Sequence, residues 1–419
     1  MSLGEDEAEA HVYEAGFNRK PSAQVGVEME WLIVDPRDAR QHIPVDRTSQ
    51  IYESLRASNA LPGGSKVTRE PGGQIELSSQ PFRTLAECVE ALATDLDRLR
   101  EATSDAGVAL LGCGVDPYRE PPRLLDQPRY RAMEAFFDRG GPWGRIMMRR
   151  SASLQFNLDS GDDTHGTSGY KFRWELAHRL GPVLVAAFAN SPVLTGRPTG
   201  WLSTRQAVWS HMDAGRTREP RYQADPAAAW SCYALDANVL AIPGAEDTDW
   251  TAPADLTFRE WIRGRAPSLR RPTLADLDYH LTTLFPPIRP RGWLELRMTD
   301  AQDGDDWVIP ALLTATLLND AQAADAAAAA TELLCQDAQP VPTHEVWTRA
   351  ARWGLADPDL AKAAIACFTA AESALVRSNT PPKLLKAFTD FAERYTVRGQ
   401  SPAHDRLEEW RHAETEDRT

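Results

Sequence analysis

Four short stretches of this chain place polar groups two residues apart with apolar residues between them. They are Val27-Glu28-Met29-Glu30-Trp31, Gln74-Ile75-Glu76-Leu77, Leu154-Gln155-Phe156-Asn157-Leu158 and Leu294-Glu295-Leu296-Arg297-Met298. In a β-strand, residues i and i+2 point the same way. Each stretch therefore predicts a strand with one polar and one apolar face. If the four share a sheet, one face is a core and the other a plate of carboxylates, amides and an arginine. Like charges packed that way are costly without a cation between them.

The remaining pattern predicts the frame. Residues 24–34 read as the first strand, stopped by Asp35-Pro36, and the turn at Glu70-Pro71-Gly72-Gly73 feeds the second. Leu85, Val89, Leu92, Leu96 and Leu99 recur at helical spacing and predict a helix over 85–106. Residues 140–148 read as a glycine-rich loop running into a third strand over 147–159. Helices are expected over 171–190, stopped by Ser191-Pro192, and over 273–285, stopped by Pro286-Pro287; the fourth strand follows over 292–299. From Trp307 to about Tyr395 the spacing is almost wholly helical. Strands and helices mix without regular β-α-β alternation, which predicts an α+β fold with a largely antiparallel sheet. The expected division is a polar tail over 1–20, a catalytic core over 21–300, a helical region packed on it over 301–398, and a second polar tail over 399–419.

Bulk properties narrow the chemistry. The 419 residues exceed the ~250–300 at which single cores stop growing. A net charge of −14 disfavours nucleic acid and anionic membranes as partners. A bound polyanion would need local arginine or metal ions. Five cysteines, an odd number without a Cys-x-x-Cys pair, point to a reducing cytoplasm rather than a disulfide or zinc framework. The acidic start reads as no signal peptide, and the apolar runs near 181–194 and 308–318 are too short for a membrane span. There is no P-loop, no dinucleotide fingerprint and no nucleophile elbow. His280, flanked by apolar residues, reads as a hydrogen-bonded structural histidine.

Hard cations such as Mg²⁺ take carboxylate and amide oxygens and bridge to substrate phosphates. The acids together with the Gln155 carbonyl suit two or three such ions. An ordinary solvated strand also tolerates an i,i+2 acid pair, but these four strands carry Glu, Gln, Asn and Arg where such faces usually carry Thr and Lys. Asn157 is suited to a nucleotide edge or a water. Arg297 either stabilises a transferring phosphoryl group or pairs structurally with Glu295. Residues 190–205, with Trp201 and Arg205, read as a helix stop and turn carrying an arginine close to aromatic residues.

Five motifs in order carry a family resemblance: Gly26-Val27-Glu28-Met29-Glu30; Glu70 to Ser78; Gln155-Phe156-Asn157; Asn190-Ser191-Pro192; and His280 to Arg297. Together they span about two thirds of the chain. They resemble glutamate–cysteine ligases of the carboxylate–amine ligase type, nearest to the actinobacterial branch that serves ergothioneine biosynthesis. The resemblance implies a glutamine-synthetase-like catalytic fold, with an antiparallel sheet forming a funnel among surrounding helices. It implies that L-glutamate, L-cysteine and ATP give γ-glutamylcysteine, ADP and phosphate. Glu28, Glu30, Glu70, Glu76, Gln155 and Glu295 then match metal ligands. Arg297 matches the arginine on the transferring phosphoryl group, with Glu295 beside it in catalysis. Arg205 matches the arginine that holds the glutamate α-carboxylate. Gln74, Met148 and Trp201 are further candidates for substrate contact, and Asn157 with Glu28 for the nucleotide. A cytoplasmic monomer acting on small molecules is expected. A ligase with another amine acceptor, a guanidino-kinase-type phosphotransferase and a non-catalytic metal- or glutamate-binding relative stand as alternatives.

Overall fold

A computed structural model describes residues 2–19, 23–57, 61–336, 339–416. Among the described residues there are nine strands: β1 Val25–Val34, β2 Lys66–Arg69, β3 Ile75–Ser78, β4 Ala109–Leu111, β5 Ser153–Asp159, β6 Val193–Leu194, β7 Arg197–Pro198, β8 Ile288–Pro290 and β9 Trp293–Asp300. Seven form one sheet in the order β2-β3-β1-β5-β9-β8, with β4 on the far end of β1. Every pairing in it is antiparallel. The outer strands β2 and β8 do not pair with each other, so the sheet stays open. Edge position also explains how β8 tolerates Pro290, which has no N–H to donate.

The four predicted strands are therefore neighbours, and their registers align the two faces. Met29 stands opposite Leu77 and Leu154, Val27 opposite Phe156, and Phe156 opposite Leu296. All are at most 2 % exposed. Each such side chain contributes roughly 1.5–3 kcal/mol of transfer free energy, which locks the register: a one-residue slip would put this whole set on the wrong face. Helices cover the apolar side. Leu85–Asp105 packs against β1, Tyr170–Ala187 against β9, and Val308–Asn319 against β5. Val308–Asn319 is apolar all round because it is sandwiched between the sheet and the helices Ala321–Thr331, Pro358–Arg377 and Pro382–Arg394.

Three expectations need correction. The first is the N-terminal tail: Glu5–Gly16 is a helix docked on Pro226–Asp236 through Ala8, Val12 and Gly16. Its acids are ion-pair partners, since Arg259 Nη1 lies 2.6 Å from both Glu5 and Glu9. Small buried residues gave little apolar signal. The second is the C-terminal tail: Pro402–Glu416 is a helix. Arg406 pairs with Asp303 at 2.9 Å, and the Trp410 indole donates to the Gly196 carbonyl. The third is the glycine-rich loop: Trp143–Arg150 is a helix and the strand starts only at Ser153. Among the described residues no helix is long and apolar enough to cross a membrane.

Candidate active site

The polar face of the sheet carries the chemistry. Glu30 stands opposite Glu76, Glu28 opposite Gln155, and Asn157 opposite Glu295. Between Leu154 and Phe156 the register shifts, so two residues, Arg297 and Met298, face the single Gln155. A bulge of this kind re-aims a side chain, and such bulges gather beside active sites. Glu70 joins from the turn after β2, where its N–H bonds the Gln74 carbonyl. That turn needs both glycines. A Cβ on Gly72 would lie 2.1 Å from the Arg149 carbonyl oxygen, and Gly73 has φ +93°.

Two electrostatic halves share this face. On one side, Glu295 is 1 % exposed and fully paired. Arg289 donates to it twice, at 2.5 and 3.0 Å, and Arg297 donates at 3.0 Å. Burial alone would raise the Glu295 pKa; the guanidiniums of Arg289 and Arg297 outweigh it and hold the carboxyl at about 2. Arg297 also donates to the Gln155 carbonyl at 2.6 Å. Burial works against the Arg297 charge, yet the carboxylates of Glu295, Glu28, Glu30 and Glu76 overcome it and raise its pKa.

On the other side, four half-buried carboxylates crowd together: Glu28, Glu30, Glu70 and Glu76. Burial raises all four pKa values. Mutual repulsion adds to it: Glu76 and Glu30 act on Glu70, Glu30 on Glu76, and Glu295 and Glu76 on Glu28. Arg297 opposes the rise at each. Local hydrogen bonds fix three of them. The Gln155 amide and the Ser153 N–H hold Glu30, the Thr68 and Ser78 hydroxyls hold Glu76, and the Asn157 amide holds Glu28. Tyr130, beyond the sheet, is near enough for Glu70 to raise its pKa, after burial.

The predicted residues thus divide. The face brings together Glu28, Glu30, Glu76, Gln155, Asn157, Glu295 and Arg297, with Glu70 at its rim. Two expected metal ligands are otherwise engaged: Glu295 is neutralised by Arg289 and Arg297, and Gln155 turns its carbonyl to Arg297. Arg205 is 2 % exposed and donates to the backbone carbonyls of Arg297 and Met298, which braces β9. Asp300, held by the Ser191 and Ser203 hydroxyls, lies 3.8 Å from it. The Gln74 amide ties the Gly72 N–H to the Ser151 carbonyl. Met148 belongs to an apolar cluster with Phe136, Phe137 and Met212. Trp201 lies in a small cleft with Trp209 and Trp347. Sequence reasoning missed Arg289; the signal was the short Ile288-Arg289-Pro290 run before the Arg291-Gly292 turn, which makes a hairpin with β9.

Among the described residues no three His, Cys, Asp or Glu side chains already form a coordination group. The donor chemistry still fits a hard divalent cation. Glu28, Glu30, Glu70 and Glu76 supply carboxylate oxygens, and their raised pKa values reflect a local excess of negative charge that such a cation would relieve.

Comparisons with known proteins agree with this architecture. The pattern of glutamate-cysteine ligase family 2 (GCS2) matches residues 24–417. The chain is 41 % identical over 394 residues to the glutamate–cysteine ligase EgtA of Mycobacterium tuberculosis, covering 92 % of this chain and 85 % of that protein. It is 39 % identical over 409 residues to EgtA of Mycolicibacterium smegmatis, covering 96 % and 90 %. The crystal structure of the glutamate–cysteine ligase of Francisella tularensis in complex with AMP superposes with a TM-score of 0.50 at 15 % identity, over 94 % of this chain and 85 % of that one. That likeness shows a shared fold, an antiparallel sheet with surrounding helices. With 394 residues matched by one pattern and the acidic sheet face built as described, the chain belongs to glutamate-cysteine ligase family 2.

Proposed function

We propose that this protein joins the γ-carboxylate of L-glutamate to the amine of L-cysteine with cleavage of ATP to ADP and phosphate, giving γ-glutamylcysteine for ergothioneine biosynthesis. The observation that carries this reading is the split polar face: four carboxylates of raised pKa beside one arginine oriented by Glu295 and Gln155. The kinship to the two EgtA proteins supplies the identity of the substrates.

In this reading the glutamate γ-carboxylate attacks the γ-phosphorus in line and ADP leaves. The cysteine amine then attacks the acyl carbon of γ-glutamyl phosphate, and phosphate departs. Two or three Mg²⁺, held by Glu28, Glu30, Glu70 and Glu76, would neutralise phosphate charge and align the reacting oxygens. Arg297 supplies fixed positive charge where negative charge spreads over the transferring phosphoryl oxygens. Glu295 and Gln155 hold its guanidinium and so remove reorganisation from the reactive step. Arg205 holds the backbone from which Arg297 projects. Asn157 and Glu28 lie toward the nucleotide. No covalent nucleophile is required.

The chemistry falls to residues 21–300, with the helices of 301–398 as the scaffold behind the sheet. A monomer acting on small molecules belongs to the same reading. The five cysteines are all unpaired, which suits a reducing cytoplasm. The test is ADP release with ATP, Mg²⁺ and L-glutamate, with and without L-cysteine and other amines, and a mass spectrum of the product. Cysteine-dependent ADP release with a γ-glutamylcysteine product is expected. Absence of ADP release, or faster release with another amine, would overturn the assignment.

A further inference from the structure

Trp293 opens β9 on the same face as Glu295 and Arg297, because strand alternation carries 293, 295 and 297 to one side. It is 41 % exposed. Its ring is partly open to solvent on the functional face. Its orientation is fixed. The indole N–H donates to Asn157 Oδ1 at 2.8 Å, and the Asn157 amide donates to Glu28 Oε1 at 2.9 Å. A continuous hydrogen-bonded line thus runs from the acid cluster to the Trp293 ring. The Arg291 guanidinium lies over the ring, 5.4 Å from its centroid, and 3.9 Å from Glu295.

We infer that Trp293 is the stacking platform for the base of the nucleotide, with Arg291 backing the ring. The inference rests on the ATP-dependent reading above and deepens it. Phosphates drawn to Arg297 and to the cations the acid cluster would hold leave the base to reach along β9. Trp293 and Arg297 are four positions apart, roughly 13 Å of strand at ~3.3 Å per residue, a span an extended nucleoside triphosphate bridges. A ring already fixed by Asn157 and Arg291 loses little freedom when a base settles on it, and every base offers a π-face. The fold has no phosphate loop to anchor the nucleotide, so contact with the base adds to what the phosphates supply.

The experiment compares wild type with Trp293→Ala and Trp293→Phe. It reads KM for ATP and for glutamate, kcat, and inhibition constants for AMP and for inorganic tripolyphosphate, which has no base. Stacking predicts that Trp293→Ala raises KM for ATP and the AMP constant about tenfold, leaving the tripolyphosphate constant and KM for glutamate within about twofold. Trp293→Phe keeps a ring without the indole N–H and restores most of the AMP affinity. An unmoved AMP constant in Trp293→Ala overturns the inference. So does Trp293→Phe behaving like Trp293→Ala, since the N–H to Asn157 would then be what matters, and so does equal weakening of tripolyphosphate. Wild-type enzyme that releases no ADP with glutamate and cysteine overturns the functional reading and this inference with it. Normal wild-type turnover with an unmoved Trp293→Ala overturns the stacking alone.

Discussion

Replacing Arg289 with Met removes the residue that holds Glu295, and the consequence can be sized from the site. Glu295 is 1 % exposed and Arg289 8 %, with two contacts of 2.5 and 3.0 Å between them. Breaking a buried pair from one side costs about 3–5 kcal/mol. Arg297 remains 3.0 Å from Glu295, so the lower end applies, about 3 kcal/mol. The carboxyl pKa agrees in scale. Glu295 sits at about 2 against an ordinary 4.5, and that gap corresponds to about 3 kcal/mol shared by the two arginines net of burial. At ~2.1 cal/mol/K of unfolding entropy per residue, a chain of 419 residues shifts by roughly 1 °C per kcal/mol, so the Tm of Arg289→Met should fall by roughly 3 °C. Glu295→Gln strands two guanidiniums and should fall similarly. The double variant removes both members of the Arg289–Glu295 pair, leaving only Arg297 without its carboxylate, and should recover part of the summed loss. The assay is calorimetry of the four proteins in one buffer, with kcat measured on each. The pH dependence has a fixed sign: a depressed carboxyl pKa contributes stability above about 4.5 that disappears as pH falls toward 2. Arg289→Met should therefore lose less stability than wild type across that window. A Tm unchanged within 1 °C, or strictly additive losses, would refute the reasoning.

Two further outcomes follow from the same face. Arg297→Lys should lower kcat by at least ~10²-fold, about 3 kcal/mol of barrier, because a single ammonium cannot hold Gln155 and Glu295 while meeting a phosphoryl group; turnover near wild type would leave Arg297 as a structural ion pair. The raised pKa of Glu70 implies the opposite linkage from Glu295, since the metal-free protein loses stability as pH rises from about 4.5 through the raised value. Glu70→Gln should therefore raise the metal-free Tm at pH 8 while abolishing turnover, and MgCl₂ should stabilise wild type more at pH 8 than at pH 5; a lower Tm in the variant, or a cation effect that grows on acidification, would count against the acid cluster as a cation site.

The alternation of Glu28, Glu30, Glu76, Gln155, Asn157, Glu295 and Arg297 with buried Val, Met, Phe, Ile and Leu was enough, from sequence, to predict strands with one functional face. The physical reason is that the period of a strand is local and needs no knowledge of partners. The order of the motifs likewise carried the family, and the mix of strands and helices without β-α-β alternation carried the α+β class. Pairing was beyond that reach. Only the tertiary structure set Arg289 opposite Glu295, because a three-residue edge strand has too few positions to show a period. Only the bulge opposite Gln155 aims Arg297, and only packing decides that the Arg205 guanidinium binds backbone carbonyls and that Met148 joins an apolar cluster. The helices at 5–16 and 402–416 escaped detection because their stability comes from docking and long-range ion pairs more than from their own apolar stripe. The sequence by itself determined which residue types share a face. The division of that face, into an ion-paired half around Glu295 and a charge-strained half around Glu70, depends on distances between strands far apart in the chain.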